Sequence, residues 1–197
     1  MTTSIETDQH EDELRSRPGA LRWLGGRWPS IAGAAVAALT MTGASSGSDV
    51  APVVVASGAV YLGSAALQRR TAAWPMFLVT FVLVGVRLAV PDFKASWWML
   101  VLVGVLSVYG LARGAVRPTW GLPLQAAAML ALAAVALPAE GAGEVWAGVL
   151  VSGALLAHAG WDVVHHRAQR VVSRSLAEFC AVLDTAVAVA VLVVTFS

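Results

Sequence analysis

The 197-residue sequence contains a single cysteine (Cys180), a single lysine (Lys94) and no asparagine. One cysteine excludes an intramolecular disulfide framework, and the absence of Asn excludes N-glycosylation sequons. Charge is also scarce: Asp, Glu, Lys and Arg make up 13% of the chain, where a soluble domain carries about 25%. No glycine-rich phosphate loop and no basic patch with interleaved aromatics occurs, so the sequence offers nothing to nucleic acid. What it has in abundance is apolar surface, 58% hydrophobic residues against about 45–50% in a globular domain. Five of its acids, from Glu6 to Glu13, lie in the first 13 residues, which leaves the remainder nearly bare. Soluble, fibrous, disulfide-rich and disordered classes are excluded, and a polytopic membrane protein remains. Twelve arginines to one lysine, with many Ala and Val, point to a GC-rich bacterial genome and hence to an inner (plasma) membrane.

Residues 1–20 mix acids and bases without an apolar run and lack the basic-apolar-small pattern of a signal peptide; they read as a disordered cytoplasmic tail. Residues 21–197 read as an all-α transmembrane domain. Spanning the hydrocarbon core takes about 20 apolar residues. Seven segments fit: 24–44, 50–68, 72–90, 95–113, 119–138, 144–163 and 175–196. Backbone groups in lipid must be paired within their own segment, so each is expected to be a helix. The first, carrying Pro29, has the shortest clean apolar core.

Basic residues mark the cytoplasmic side. With the N-terminus inside, Arg15, Arg17, Arg22, Arg27, Arg69, Arg70, Arg113, Arg117, Arg167, Arg170 and Arg174 all fall in the tail or cytoplasmic loops. The external loops hold Lys94 beside Asp49, Asp92, Glu140 and Glu144. Arg87 lies near the outer end of span three, within reach of the interface. Each tryptophan falls near a span end, as an amphipathic ring should. Small-xxx-small pairs (Ala59/Gly63, Gly110/Gly114 and Gly148/Ser152) read as helix-packing points.

An ionisable group inside a bilayer costs roughly 2.5–3.5 kcal/mol, which makes each one a functional hypothesis. They gather between His158 and Asp184, with Gln125 the main strongly polar residue elsewhere. His158, Asp162 and His165 recur at i, i+4 and i+7 and so share one helical stripe. At about 1.5 Å per residue, His158 and Asp184 lie roughly 13–15 Å from the cytoplasmic interface, and Asp162 and Glu178 roughly 6–8 Å. Glu178 and Asp184 are about 120° apart on their helix and cannot both face span six. Three roles fit this cluster. His158, Asp162, Glu178 and Asp184 could act as general acids and bases, since an imidazole exchanges protons near neutral pH. His158, Asp162 and His165 could hold a divalent metal with a position left open for water. Alternatively the groups simply pair, Asp162 with His165 or His166 and Asp184 with His158, and pin two helices together. Trp161 and Arg174 are candidate substrate contacts, Arg174 for an anionic head group. Cys180, in an apolar helix, reads as a small packing residue.

The stretch 158–184, with H-x-x-W-D-x-x-H-H followed by F-C-A-V-x-D, resembles a segment of a group of small actinobacterial-type polytopic membrane proteins. The resemblance covers about 27 residues and implies no particular reaction. The D-x-x-H-H run is similar to the H-x-x-H-H boxes of membrane di-iron oxygenases, but those use more histidines than this chain offers. A retinal protein needs a lysine in its last helix, and span seven has none.

The sequence thus predicts a seven-helix inner-membrane protein whose partners are membrane lipids, with a cytoplasm-facing His/Asp/Glu site on the last two helices. An enzyme acting on a lipid or isoprenoid-like substrate fits best, because little else in the bundle is polar enough to line an aqueous channel. A proton-coupled small-molecule transporter and a non-enzymatic scaffold are the alternatives. Oligomeric state is left open.

Overall fold

The computed structural model describes residues 20–90 and 92–197, with residues 20–25 and 88 described by their backbone. Apart from Ala20, the tail expected over residues 1–20 lies outside the described residues. Among the described residues seven α-helices follow in order: α1 (Ala20–Met41), α2 (Gly47–Ala66), α3 (Ala73–Ala89), α4 (Ala95–Ala112), α5 (Leu122–Ala139), α6 (Glu144–Ala168) and α7 (Arg174–Phe196). One 3-10 turn, Arg70–Ala72, precedes α3, and no strand occurs among the described residues. Six of the helices, α2 to α7, are long and apolar enough to cross a membrane. α1 is 22 residues long but carries Pro29 in its N-terminal half and falls outside that set.

α2 forms the axis of the bundle. Only Ser48, Asp49 and Ala56 of its 20 residues are less than fully buried. α3, α4, α5 and α6 surround it, α7 packs along α6, and α1 packs along the far side of α7. Apolarity does not select the central helix, because lipid accepts apolar side chains as readily as the protein interior does. Size does. α2 is built of Val, Ala, Gly and Ser around one tyrosine, which lets neighbours approach closely. Large side chains go outward instead: Trp97, Val101, Val105 and Val108 make an exposed stripe on α4 with helical spacing.

The small-residue points are used unequally. Gly148 faces Thr195 on α7, and Ser152 donates to the Ala188 carbonyl oxygen at 3.1 Å, so this pair joins α6 to α7. Gly110 approaches Ala66, and Gly63 approaches Met76. Gly114 does not extend the α4 packing stripe; the helix ends at Ala112, and Gly114 adopts φ 74° in the turn beyond it. At the opposite end of the bundle, Asp49 accepts from the Ser45 N–H at 3.1 Å in the first turn of α2. Arg87 reaches across from α3 to the Asp49 carbonyl oxygen at 2.6 Å and to its carboxylate at 3.3 Å.

The hairpin that carries the polar cluster is closed by left-handed backbone. α6 ends at Gln169 (φ 50°), whose N–H bonds the His165 carbonyl oxygen at 2.8 Å, and Val171 sits at φ 64°. A β-branched residue there is strained, and its burial against the neighbouring helices holds it in place. Ser173 caps α7, its hydroxyl oxygen accepting from the Leu176 N–H at 3.3 Å.

Candidate functional site

The α6 stripe survives intact: His158, Asp162 and His165 are all buried and face inward. Asp184 of α7 and the Ser57–Tyr61 turn of α2 meet it. His158 Nδ1 lies 2.9 Å from Asp184 Oδ2 and 3.4 Å from Asp162 Oδ2. The Tyr61 hydroxyl donates to Asp162 Oδ1 at 2.6 Å. Ser57 Oγ lies 3.3 and 3.2 Å from the two Asp184 oxygens and 3.1 Å from the Val53 carbonyl oxygen, so its one proton serves either acceptor. Asp162 Oδ2, fully buried, has no hydrogen-bond partner among the described residues. Asp162 and Asp184 are both 0% exposed. Ligand atoms of His158, Asp162 and Asp184 lie within 4.8 Å of one another. Like charges at that spacing repel by roughly 3 kcal/mol at an effective dielectric near 20, and a single imidazole is shared between them.

His165 does not join this set. Its Nδ1 donates to the Trp161 carbonyl oxygen at 3.0 Å, and its Nε2 accepts from the Gln125 amide at 3.3 Å. The Gln125 amide also donates to the Trp120 carbonyl oxygen at 3.2 Å, while its oxygen accepts from Trp161 Nε1 at 3.3 Å. Both ring nitrogens of His165 are therefore committed, and its ring edge packs on Tyr61, centroids 5.0 Å apart. The metal set anticipated from His158, Asp162 and His165 is replaced in space by His158, Asp162 and Asp184. Trp161, half-buried, belongs to the Gln125 network.

The remaining anticipated residues lie elsewhere. Glu178 turns to α1, where the Ser30 hydroxyl donates to it at 2.6 Å. The 120° offset within α7 is thus resolved by giving Glu178 to α1 and Asp184 to α6. Arg174 is exposed and donates from Nε to His166 Nε2 at 3.0 Å, closing the hairpin on its outside. Cys180 is buried one turn before Asp184. Asp162 finds neither His165 nor His166; its partners are Tyr61 and, more distantly, His158.

A cavity of about 430 Å³ reaches the edge of the cluster. It lies between α1 and α3, which touch through the stacked rings of Trp28 and Trp74 (centroids 5.4 Å) and do not pack along their lengths. Val36, Leu39, Phe81 and Val84 form its walls, and Ser57 and Cys180 lie at its floor. Asp49 and Arg87 stand at its other end. The sequence predicts approach from the Arg167–Arg174 side, whereas this cleft extends toward the Asp49–Arg87 end. A second cavity of about 220 Å³ at the opposite end, beside Arg69, Arg117 and Trp120, stops at Ser64, one turn from Tyr61.

No family model, curated protein or solved structure matches the chain.

Sequence reasoning missed Ser57 and Tyr61. A signal was present: Ser57, Tyr61 and Ser64 recur at i, i+4 and i+7, the same spacing as the α6 stripe they face. Tyr61 is moreover a tyrosine in mid-span, away from the interface where that ring ordinarily sits. Replacing Tyr61 by Phe removes the one hydrogen bond to Asp162 and leaves both its oxygens unpaired. The expected loss is about 1–3 kcal/mol, read as a lower melting temperature in detergent without loss of helix content by circular dichroism.

Proposed function

We propose that the chain is a seven-span protein of the bacterial inner membrane, N-terminus cytoplasmic, and an enzyme acting on a lipid or isoprenoid-like substrate. The observation that carries this is that the cleft ends at Ser57, whose hydroxyl lies 3.2 Å from Asp184 Oδ2. An apolar chain lying between α1 and α3 would bring its reacting end to Ser57, one hydrogen bond from Asp184 and two from His158. His158 is then the general acid and base, Asp184 orients its ring, and Asp162 is the second carboxylate, held by Tyr61. The proton between His158 Nδ1 and Asp184 Oδ2, 2.9 Å apart, is then the one exchanged toward Ser57 and the cleft. The bias of arginine toward one end of the bundle supports the orientation. That orientation puts Asp49 and Arg87 in the outer half, so the substrate would come laterally from that leaflet. Glu178 and Arg174 fall outside this centre.

One observation favours a proton-coupled carrier as second reading. The two cavities approach the cluster from opposite ends, and Tyr61, bonded to Asp162, stands between Ser57 and Ser64. Photolabelling tests the enzyme reading. In vesicles carrying a phospholipid with a mid-chain diazirine, label is expected at Val36, Phe81 or Val84. Gly85 lines the cleft and a Cβ built there meets nothing within 4 Å, so Gly85→Trp is the substitution that narrows the cleft from α3. That variant should cut cleft labelling by at least about tenfold, the equivalent of 1.4 kcal/mol of lost occupancy. Label confined to the exposed stripe of α4 would overturn lipid binding in the cleft. Uptake of protons by sealed vesicles, abolished in Asp162→Asn, would favour the carrier.

A further inference from the structure

We propose that His158, Asp162 and Asp184 form a binding site for a divalent cation, of which Zn²⁺ is the best match, with Tyr61 and Ser57 orienting the two carboxylates. The cluster contains one imidazole and two carboxylates, with no other cationic side chain among the described residues within hydrogen-bonding distance. A protonated His158 offsets only one of two carboxylate charges. A divalent ion with a neutral imidazole offsets both.

Geometry points the same way. The three ligand atoms lie within 4.8 Å of one another, and Zn–N and Zn–O bonds of about 2.0–2.2 Å place ligands roughly 3–4 Å apart. Only a small contraction separates the present arrangement from a coordinated one. The unpartnered Asp162 Oδ2 is the sharpest sign: a fully buried carboxylate oxygen 3.4 Å from His158 Nδ1, satisfied by nothing among the described residues. Buried polar atoms without a partner are rare and call for an explanation. Each carboxylate also has the outer partner that metal ligands characteristically possess. Tyr61 holds Asp162 Oδ1, leaving Oδ2 for the ion, and Ser57 holds Asp184. The ion would take the place of the Nδ1 proton now shared between His158 and Asp184, the ring keeping its proton at Nε2, so the ion-bound and proton-exchanging forms of His158 are alternative states of one cluster.

The donor set selects among metals. One nitrogen, two carboxylate oxygens and no thiolate suit a borderline divalent transition ion such as Zn²⁺. Three protein ligands leave a fourth position open, and Ser57, at the floor of the cleft, marks the side from which that position is reached. The inference stands on the cluster's own geometry and not on the lipid reading, since a cation held for stability would satisfy it equally.

The test is metal content and stability of the full chain in detergent. After EDTA treatment and dialysis against ZnCl2, mass spectrometry of the metal should give one equivalent per chain. The melting temperature should rise by about 5–10 °C at a hundredfold excess over Kd. Asp162→Asn, an isostere that still accepts from Tyr61, should lose the equivalent and the shift together. Tyr61→Phe should weaken Zn²⁺ binding by about 10–100-fold without touching the ion. His166→Ala, on the surface, should retain full binding. Failure of the wild type to bind or be stabilised by Zn²⁺, Mn²⁺ or Fe²⁺ would overturn the site, as would loss of binding in His166→Ala instead of Asp162→Asn. Lipid photolabelling of the cleft does not depend on the ion, so its failure and the failure of the metal site are separately visible.

Discussion

Replacing His158 by alanine is expected to destabilise the bundle more than any other single change in the cluster, by about 3–5 kcal/mol, because it strands two buried carboxylates without their counter-charge. For a chain of this size that corresponds to a fall in melting temperature of roughly 10–15 °C. The loss belongs to the broken set, not to any intrinsic worth of the imidazole. Taking charges out of water is costly, and an ion set is often no more stabilising than the apolar residues that could replace it. A compensated variant separates these ideas. When His158→Leu, Asp162→Asn and Asp184→Leu are combined, the amide oxygen introduced by the second change still accepts the Tyr61 hydroxyl, and Ser57 turns to the Val53 carbonyl oxygen 3.1 Å away. That triple variant should melt within a few degrees of wild type, since each change removes a demand along with its partner. Such an outcome would mean that the cluster is kept for chemistry. A triple variant as unstable as His158→Ala would mean instead that it is a pin between α6, α7 and α2, and the enzyme reading would lose its centre.

How the cluster and the fold could be read in advance divides along a physical line. Helices and their approximate limits follow from apolar length, because unpaired backbone cannot stand in hydrocarbon. The stripe of His158, Asp162 and His165 follows from helical periodicity, and so does the divergence of Glu178 from Asp184. Both depend only on distances along one helix. Which helices meet is another matter. The centrality of α2 depends on the small volume of its side chains, and average hydropathy is blind to volume. The exclusion of His165 depends on Gln125, 40 residues away, whose amide takes the ring nitrogen a metal would need. The pairing of His158 with Asp184 was open to sequence reasoning as one of three roles, since antiparallel neighbours joined by a short loop pack together. Tyr61 required knowing that α2 faces α6. The cleft was not legible at all. It exists because α1 docks on α7 and meets α3 at one end only, through Trp28 and Trp74, and no periodicity in either helix encodes that divergence.

Lateral packing has its own decisive residue, and here the expected effect is second only to that of His158. Gly47 opens α2 directly beneath the first turns of α6. A Cβ built there would lie 2.5 Å from Gly148 N and 2.6 Å from the Ala147 carbonyl carbon. Both obstacles are backbone, so no rotamer change relieves them, and the helices themselves must separate. Overpacking costs typically 1–3 kcal/mol where side chains can yield. With the Ala147–Gly148 backbone as the obstacle, Gly47→Val should sit at or above the upper end, about 3 kcal/mol, with a melting temperature roughly 6–12 °C lower. Gly148 is a graded comparison, because a Cβ there would meet the Thr195 side chain near the end of α7, which can rotate away. Gly153 is the control: it faces outward on α6 with nothing within 4 Å, and valine there should be tolerated within about 0.5 kcal/mol. The order Gly47, then Gly148, then Gly153, measured by tryptophan fluorescence on heating in one detergent, is the signature of a bundle held by close backbone approach. Equal melting temperatures for Gly47→Val and Gly153→Val would show that α2 and α6 do not approach at that point. The placement of Tyr61 against Asp162, which depends on the same helix pair, would then have to be redrawn.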